Sequence, residues 1–214
     1  MNKYGLNDEQ WNAVTAGSPT LVNASAGSGK TRCLVAKIRH LLEKGAHPES
    51  ICAITFTNKA ANEMKSRLRK EAPIEGMQVS TIHSLCVRVI RKFPGHTVLK
   101  VPFSIYDDSD QLDVIKTIIK ARDWPYNAYE ILSQISKAKS DNKTEDLEGD
   151  VEEAYDQYQQ ILWKNNAADF DDLLIYAKDC LKHKDCQDYF QELWSHMLVD
   201  EVQDTSAIQY EIIT

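Results

Sequence analysis

Eight consecutive residues, Ala24-Ser25-Ala26-Gly27-Ser28-Gly29-Lys30-Thr31, have the types and spacing of a phosphate cradle. Small residues let successive backbone N–H groups curl around a phosphate, and a helix starting just after them adds its positive end. The order A-x-x-x-x-G-K-T departs from the strict P-loop only in having Ala for the first Gly. Lys30 is then placed to reach the β- and γ-phosphates of a nucleotide, and the Thr31 hydroxyl to ligate Mg2+. Such a site also needs two carboxylates, one for the magnesium and one to orient the attacking water. Asp200-Glu201, at the end of the apolar run His196-Met197-Leu198-Val199, supplies both: Asp200 for the metal, Glu201 for the water. Taken singly, each has a plainer reading, a Gly/Ser turn beside a surface lysine and an acidic pair capping a helix. Taken together they complete one another.

These groups work only if strands and helices bring them to one sheet edge. Asn7 to Ala16 reads as a short helix, with Asn7 as N-cap and Gln10 three residues on. Thr20-Leu21-Val22-Asn23 reads as a buried strand running into the small-residue loop. Cys33, Leu34, Ile38, Leu41 and Leu42 then form the apolar stripe of a helix that stops at Gly45. Ile51–Thr55 is a second buried strand. The helix 59–69 after it has a basic face, Lys59, Lys65, Arg67 and Arg69, with Lys70 next. Val79–Thr81 ends a third strand and Ser84–Lys92 forms the helix after it. This alternation predicts a parallel α/β sheet. From about Phe93 the rhythm changes, and 111–122, 129–139 and 151–163 read as helices with no strand between them and a polar loop over 140–150. Segments 172–181 and 189–194 continue helical, His196–Val199 restores a buried strand, and a last helix starts near Ser206. The expected division is therefore an α/β core over 1–92, a helical insertion over 93–165, and a resumed core over 166–214.

Six blocks occur in a fixed order: Leu6-Asn7-x-x-Gln10-x-x-Ala13-Val14, the loop through Arg32, Thr55-Phe56-Thr57-Asn58-Lys59-Ala60-Ala61-Asn62-Glu63-Met64, Ser80-Thr81-Ile82-His83-Ser84, Asp169-Phe170-x-x-Leu173-Leu174, and Val199-Asp200-Glu201-Val202-Gln203-Asp204-Thr205. Together, from Leu6 to Thr205, they resemble the N-terminal half of the UvrD/Rep/PcrA family of superfamily 1 DNA helicases. The resemblance implies a RecA-like P-loop NTPase sheet with an inserted all-helical subdomain, and a motor that hydrolyses ATP with Mg2+ while moving on single-stranded DNA, typically 3′ to 5′. It implies that Gln10 reads the adenine edge, that Arg32 packs on the adenine, and that Gln203 couples the γ-phosphate site to DNA. Gln10 has a rival role as capping-box partner of Asn7. Phe56, Thr57, Asn58, Lys59, Thr81 and His83 are implied as single-stranded DNA contacts. That suits a stacking aromatic and small polar donors beside a basic helix, although a core aromatic and a satisfied core histidine are the plainer readings of Phe56 and His83. Ser25 replaces a common Gly, while Ile82 and Val202 replace common aromatics. The family's later motifs, including a second RecA-like domain with its arginine finger, are expected as partners outside these residues, so the chain alone should show little activity. Two alternatives remain: a recombination helicase–nuclease of the RecB/AddA kind, and a free-standing non-catalytic module binding ATP or DNA.

Composition is compatible with this and excludes other classes. No apolar run approaches the length of a membrane span and no signal peptide opens the chain, so a cytoplasmic protein without membrane partners is expected. Five cysteines at irregular spacing argue against a secreted disulfide scaffold. The net charge of −7 conceals a split: residues 1–100 hold 15 Lys/Arg against 7 Asp/Glu, and the remainder 10 against 25, so the basic half can meet a polyanion. Cys180-x-x-His183-x-x-Cys186 invites a zinc reading, but on an unbroken helix these three do not share a face. Tyr155, Tyr158 and Trp163 are expected in the core.

Overall fold

The computed structural model describes residues 4–25 and 27–214. In chain order its first elements are α1 (Asp8–Thr15), α2 (Lys30–Glu43), β1 (Ile51–Thr55), α3 (Asn58–Arg69), β2 (Gln78–Thr81) and α4 (Ile82–Lys92). Then come β3 (Ser104–Ile105), α5 (Asp108–Arg122), α6 (Ala128–Ser140), α7 (Gly149–Lys164), β4 (Ala167–Ala168), α8 (Phe170–Leu181), α9 (Lys184–Leu193), β5 (His196–Val199) and α10 (Ala207–Ile213). The chain divides into two compact units, 1–82 with 189–204, and 83–188 with 205–214.

The first unit is built on a parallel sheet of order β2-β1-β5. All five residues of β1 are buried, as expected for a central parallel strand covered on both faces. Cys52 pairs with Gln78 on one side and Met197 on the other. One core gathers Ile38 and Val35 of α2, Met64 and Leu68 of α3, and Ile51, Ala53 and Val79 of the sheet. Full burial of a side chain such as Leu68 contributes roughly 1.5–3 kcal/mol. A second cluster, Leu6, Val14, Cys33 and Ala36, seats α1 on α2.

The strand expected at Thr20–Asn23 is not formed. Leu21 is 78% exposed and Val22 41%, and the segment carries no ladder. Its run of apolar residues is only two long and sits between Gly17-Ser18-Pro19 and the small-residue loop, which leaves little apolar area to hold it in a sheet. The parallel α/β arrangement expected from sequence is otherwise present, on β1, β2 and β5.

The second unit is predominantly helical. Ile115 and Ile118 of α5, Ile131 and Ile135 of α6, and Ala154, Tyr158 and Leu162 of α7 share a core with Ala167. A two-residue parallel ladder, Ser104 with Ala167 and Ile105 with Ala168, was not expected between these helices. Of the aromatic set expected in the core, Tyr158 is fully buried, but Trp163 is 50% exposed and donates from Nε1 to the Tyr176 hydroxyl at 2.8 Å.

Beneath this core lies an ion cluster. Lys139 of α6, fully buried, places Nζ 2.6 Å from Asp169 Oδ2 and 2.7 Å from Asp172 Oδ1. The Tyr158 hydroxyl donates to Asp169 and the Gln159 amide to Asp172. Asp169 is also the N-cap of α8, accepting from the Asp172 N–H in a capping box. As expected, a helix ends at Leu181, and the next begins at Lys184, earlier than the expected 189; Cys180 and Cys186 are buried, and the His183 ring lies parallel to His96 with centroids 3.9 Å apart. No helix among the described residues is long and apolar enough to cross a membrane.

Candidate nucleotide site and nucleic-acid contacts

The small-residue loop runs directly into α2, whose first residue is Lys30. Its N-cap, Gly29, has φ +92°, a left-handed conformation that β-carbon-bearing residues rarely adopt, and a Cβ there would stand 3.0 Å from Gln10 Nε2. The backbone conformation is what favours glycine at 29, since the Gln10 amide is the end of a flexible side chain that can shift. Ala26 lies outside the described residues. Around it, the Ser28 N–H donates to the Ser25 carbonyl and Lys30 Nζ donates to the Ala24 carbonyl at 3.2 Å. Ser25, Gly27 and Ser28 are exposed.

The carboxylates arrive from the far end of the chain. The Asp200 N–H donates to the Ile54 carbonyl at 2.9 Å, which extends the β1–β5 ladder by one bond and fixes where β5 ends. Thr31 Oγ1 donates to Asp200 Oδ2 at 3.3 Å, and Lys30 Nζ is 3.7 Å from Glu201 Oε2. Burial, reinforced by the neighbouring Glu201 charge, raises the Asp200 carboxyl above the usual carboxylate range. A divalent cation would offset both causes, and the pair of a hydroxyl and a carboxylate is the hard-oxygen donor set that magnesium takes. Glu201 has φ +53°, a rare left-handed backbone for a residue other than glycine. Gln203 Nε2 donates to Glu201 Oε2 at 2.5 Å and to Asp204 Oδ2 at 3.2 Å.

Gln10 takes the capping-box role weighed for it and reaches the small-residue loop as well. Its Oε1 accepts from the Asn7 N–H, completing the capping box of α1, while its Nε2 donates to the Ser28 carbonyl at 2.9 Å. The residue thus ties α1 to the small-residue loop. Arg32 Nη2 donates to the carbonyls of Gly5, at 2.8 Å, and Tyr4, at 3.3 Å.

The residues expected to meet DNA fall in both units. In the first, Phe56 follows β1 and is 54% exposed, which removes the core reading for it. Thr57 caps α3, its hydroxyl accepting from the Ala60 N–H at 3.1 Å, and Asn58 and Lys59 open that helix, both exposed. Arg67, Arg69 and Lys70 are exposed and Lys65 is half-buried, so the face is solvent-accessible and basic. Thr81 ends β2 and is 7% exposed. In the second unit His83 is half-buried, and burial lowers its pKa, so at neutral pH it presents a neutral imidazole. Its ring meets Phe170 edge-on at 5.5 Å. Phe170, 42% exposed, had been noted in a sequence block without a role. The readable signal was its place just after Asp169, the N-cap of a helix.

The family model of the UvrD/REP helicase N-terminal domain matches residues 6–214. A protein of Staphylococcus epidermidis described as ATP-dependent DNA helicase PcrA is 38% identical over 227 residues, covering 97% of this chain and 31% of its own length. Its counterpart from Staphylococcus aureus is 37% identical over 225 residues, with the same coverage. The chain thus spans about a third of the length of these relatives. It belongs to the family of UvrD/REP helicase N-terminal domains.

Proposed function

We propose that the chain is the first ATP-hydrolysing domain of a DNA helicase or translocase, working on single-stranded DNA with polarity 3′ to 5′. The observation that carries this reading is the meeting of Lys30 and Thr31 with Asp200 and Glu201 at one sheet edge. Residues 24–31 would hold the triphosphate through backbone N–H groups and Lys30, with Gln10 and Arg32 on the base side. Thr31 and Asp200 would hold Mg2+, which neutralises phosphate charge when bound. Glu201 takes the proton of the attacking water as its oxygen bonds to the γ-phosphorus; the bond to the β-phosphate oxygen breaks, and ADP leaves with that electron pair. Phe56, Thr57, Asn58, Lys59, Thr81 and His83 would contact the DNA strand. Under this reading 1–92 and 166–214 form one core, 93–165 is inserted in it, and a second RecA-like domain supplies the trans cation.

The chain alone is then expected to bind Mg·ATP weakly and to hydrolyse it slowly, because a trans arginine is worth ~10³–10⁵ in rate where it is known. The test is titration of a fluorescent ATP analogue with Mg2+ into wild type and Lys30→Ala, with and without oligo-dT. Saturable binding lost in the variant supports the site. Equal binding by both proteins refutes it.

A further inference from the structure

Gln203 has one amide nitrogen, and both of its hydrogens end on carboxylates, Glu201 Oε2 at 2.5 Å and Asp204 Oδ2 at 3.2 Å. An amide side chain can present either its nitrogen or its oxygen to a neighbour. A carboxylate on each side settles the choice, because the amide oxygen turned toward either would set acceptor against acceptor. Glu201 Oε2 is therefore doubly engaged, by a hydrogen bond from Gln203 and by Lys30 at 3.7 Å, whereas Oε1 accepts no hydrogen bond among the described residues. Asp204 is joined to this arrangement in a second way: its backbone N–H donates to the Glu201 carbonyl at 2.9 Å and closes the turn at which Glu201 takes φ +53°. That main-chain bond does not depend on the side chain at 204, so the two contributions of Asp204 are separable.

We propose that Asp204 is a positioning residue for the hydrolytic step: through Gln203 it fixes the Glu201 carboxylate so that Oε1 is the oxygen left to accept the proton of the attacking water. The inference rests on the reading of Glu201 as that acceptor. Asp204 touches neither nucleotide nor water in this scheme and acts only through Gln203. Outer partners that orient a reacting group are worth roughly 10- to 100-fold where they have been removed around metal ligands, and an effect near the lower bound is expected here.

The experiment compares wild type, Asp204→Ala, Asp204→Asn, Gln203→Ala and the double variant Gln203→Ala/Asp204→Ala. Each is assayed for single-turnover hydrolysis of γ-labelled ATP with protein in excess, and for affinity toward a fluorescent ATP analogue. Asp204→Ala should slow the step about tenfold and leave the nucleotide Kd within about twofold. Asp204→Asn should restore most of the rate, since its amide oxygen still accepts from Gln203. In the Gln203→Ala background, Asp204→Ala should change nothing further. A wild-type rate in Asp204→Ala, no rescue by Asn, or an undiminished effect in the double variant overturns the proposal. The Gln203 side-chain NH2 signals, followed by ¹⁵N NMR, report the orientation independently of turnover. Unchanged signals in Asp204→Ala sink the inference while leaving the ATPase reading standing. A wild type that neither binds nor hydrolyses ATP overturns that reading and the inference with it.

Discussion

Thr31 Oγ1 and Asp200 Oδ2 lie 3.3 Å apart although 169 residues separate them in sequence. The first begins a helix and the second ends a strand, so each is held by main-chain hydrogen bonds rather than by the contact itself. Two oxygens fixed in this way favour a cation that demands strict geometry. Asp200→Asn should therefore remove the magnesium dependence of nucleotide binding. Wild type should bind an ATP analogue more tightly in Mg2+ than in EDTA, while the variant binds equally weakly in both. A variant that keeps the full magnesium effect would exclude Asp200 as a ligand.

Phe56 is exposed at the end of a buried strand, which holds the backbone firmly and leaves the ring free to stack. Phe56→Ala should weaken oligo-dT binding by about 1–3 kcal/mol, the range for loss of one base–aromatic stack. Fluorescence anisotropy measures it, and the far-UV spectrum and melting temperature should not change. Unaltered affinity would remove Phe56 from the interface.

Lys139 pairs with two buried carboxylates at once. Burial alone would lower its pKa, but Asp172 and Asp169 outweigh it and the ammonium is held above its ordinary value. Lys139→Met leaves Asp169 and Asp172 facing each other without a cation and should destabilise the chain by about 3–5 kcal/mol. Chemical denaturation reads this directly. A loss below about 1 kcal/mol would mean that the cluster is already solvated or protonated.

Asp171 behaves in the opposite way. Burial raises its carboxyl pKa, only partly offset by the hydrogen bond from Ser136 Oγ at 2.5 Å. An acid whose folded pKa lies above its unfolded value binds its proton more readily when folded. Its ionisation therefore subtracts stability as pH rises through that window, and the full loss is present at neutral pH. Asp171→Asn keeps an acceptor for Ser136 and cannot ionise. Its melting temperature should exceed that of wild type at pH 7, and the difference should shrink as pH falls through the carboxylate range. A constant difference at all pH values would point to packing instead.

Much of this was legible from residue order. Ile51–Thr55 declares a buried parallel strand because five consecutive residues are suited to a dry interior, and Asn7 with Gln10 declares a helix start because the two side chains satisfy each other's backbone N–H. The small-residue loop and the acidic pair stand out in the sequence because the chemistry proposed for them tolerates few residue types. What escaped depends on partners distant in the chain. Lys139 reads as a solvated helix lysine until Asp169 and Asp172 close on it, and Ala167-Ala168 is too short to announce a strand without Ser104-Ile105. Thr20–Asn23 misled because its two apolar residues look like a buried run, yet the run is too short to cover itself. Asp204 escaped because its value lies in a hydrogen bond to the neighbouring Gln203, which no spacing rule describes.

The pairing of β1 with β5 also sets an order of events during synthesis. Ile51 must wait for His196, and Ile54 for Val199, before the central strand has a neighbour on that side. At the 5–20 residues per second of a working ribosome, the interval is on the order of ten seconds or longer. During that time β1 can pair with β2 alone, and Asp200 and Glu201 have not yet been made. Under the proposed function, the nucleotide site is therefore without its two carboxylates until β5 and the residues just after it have been made.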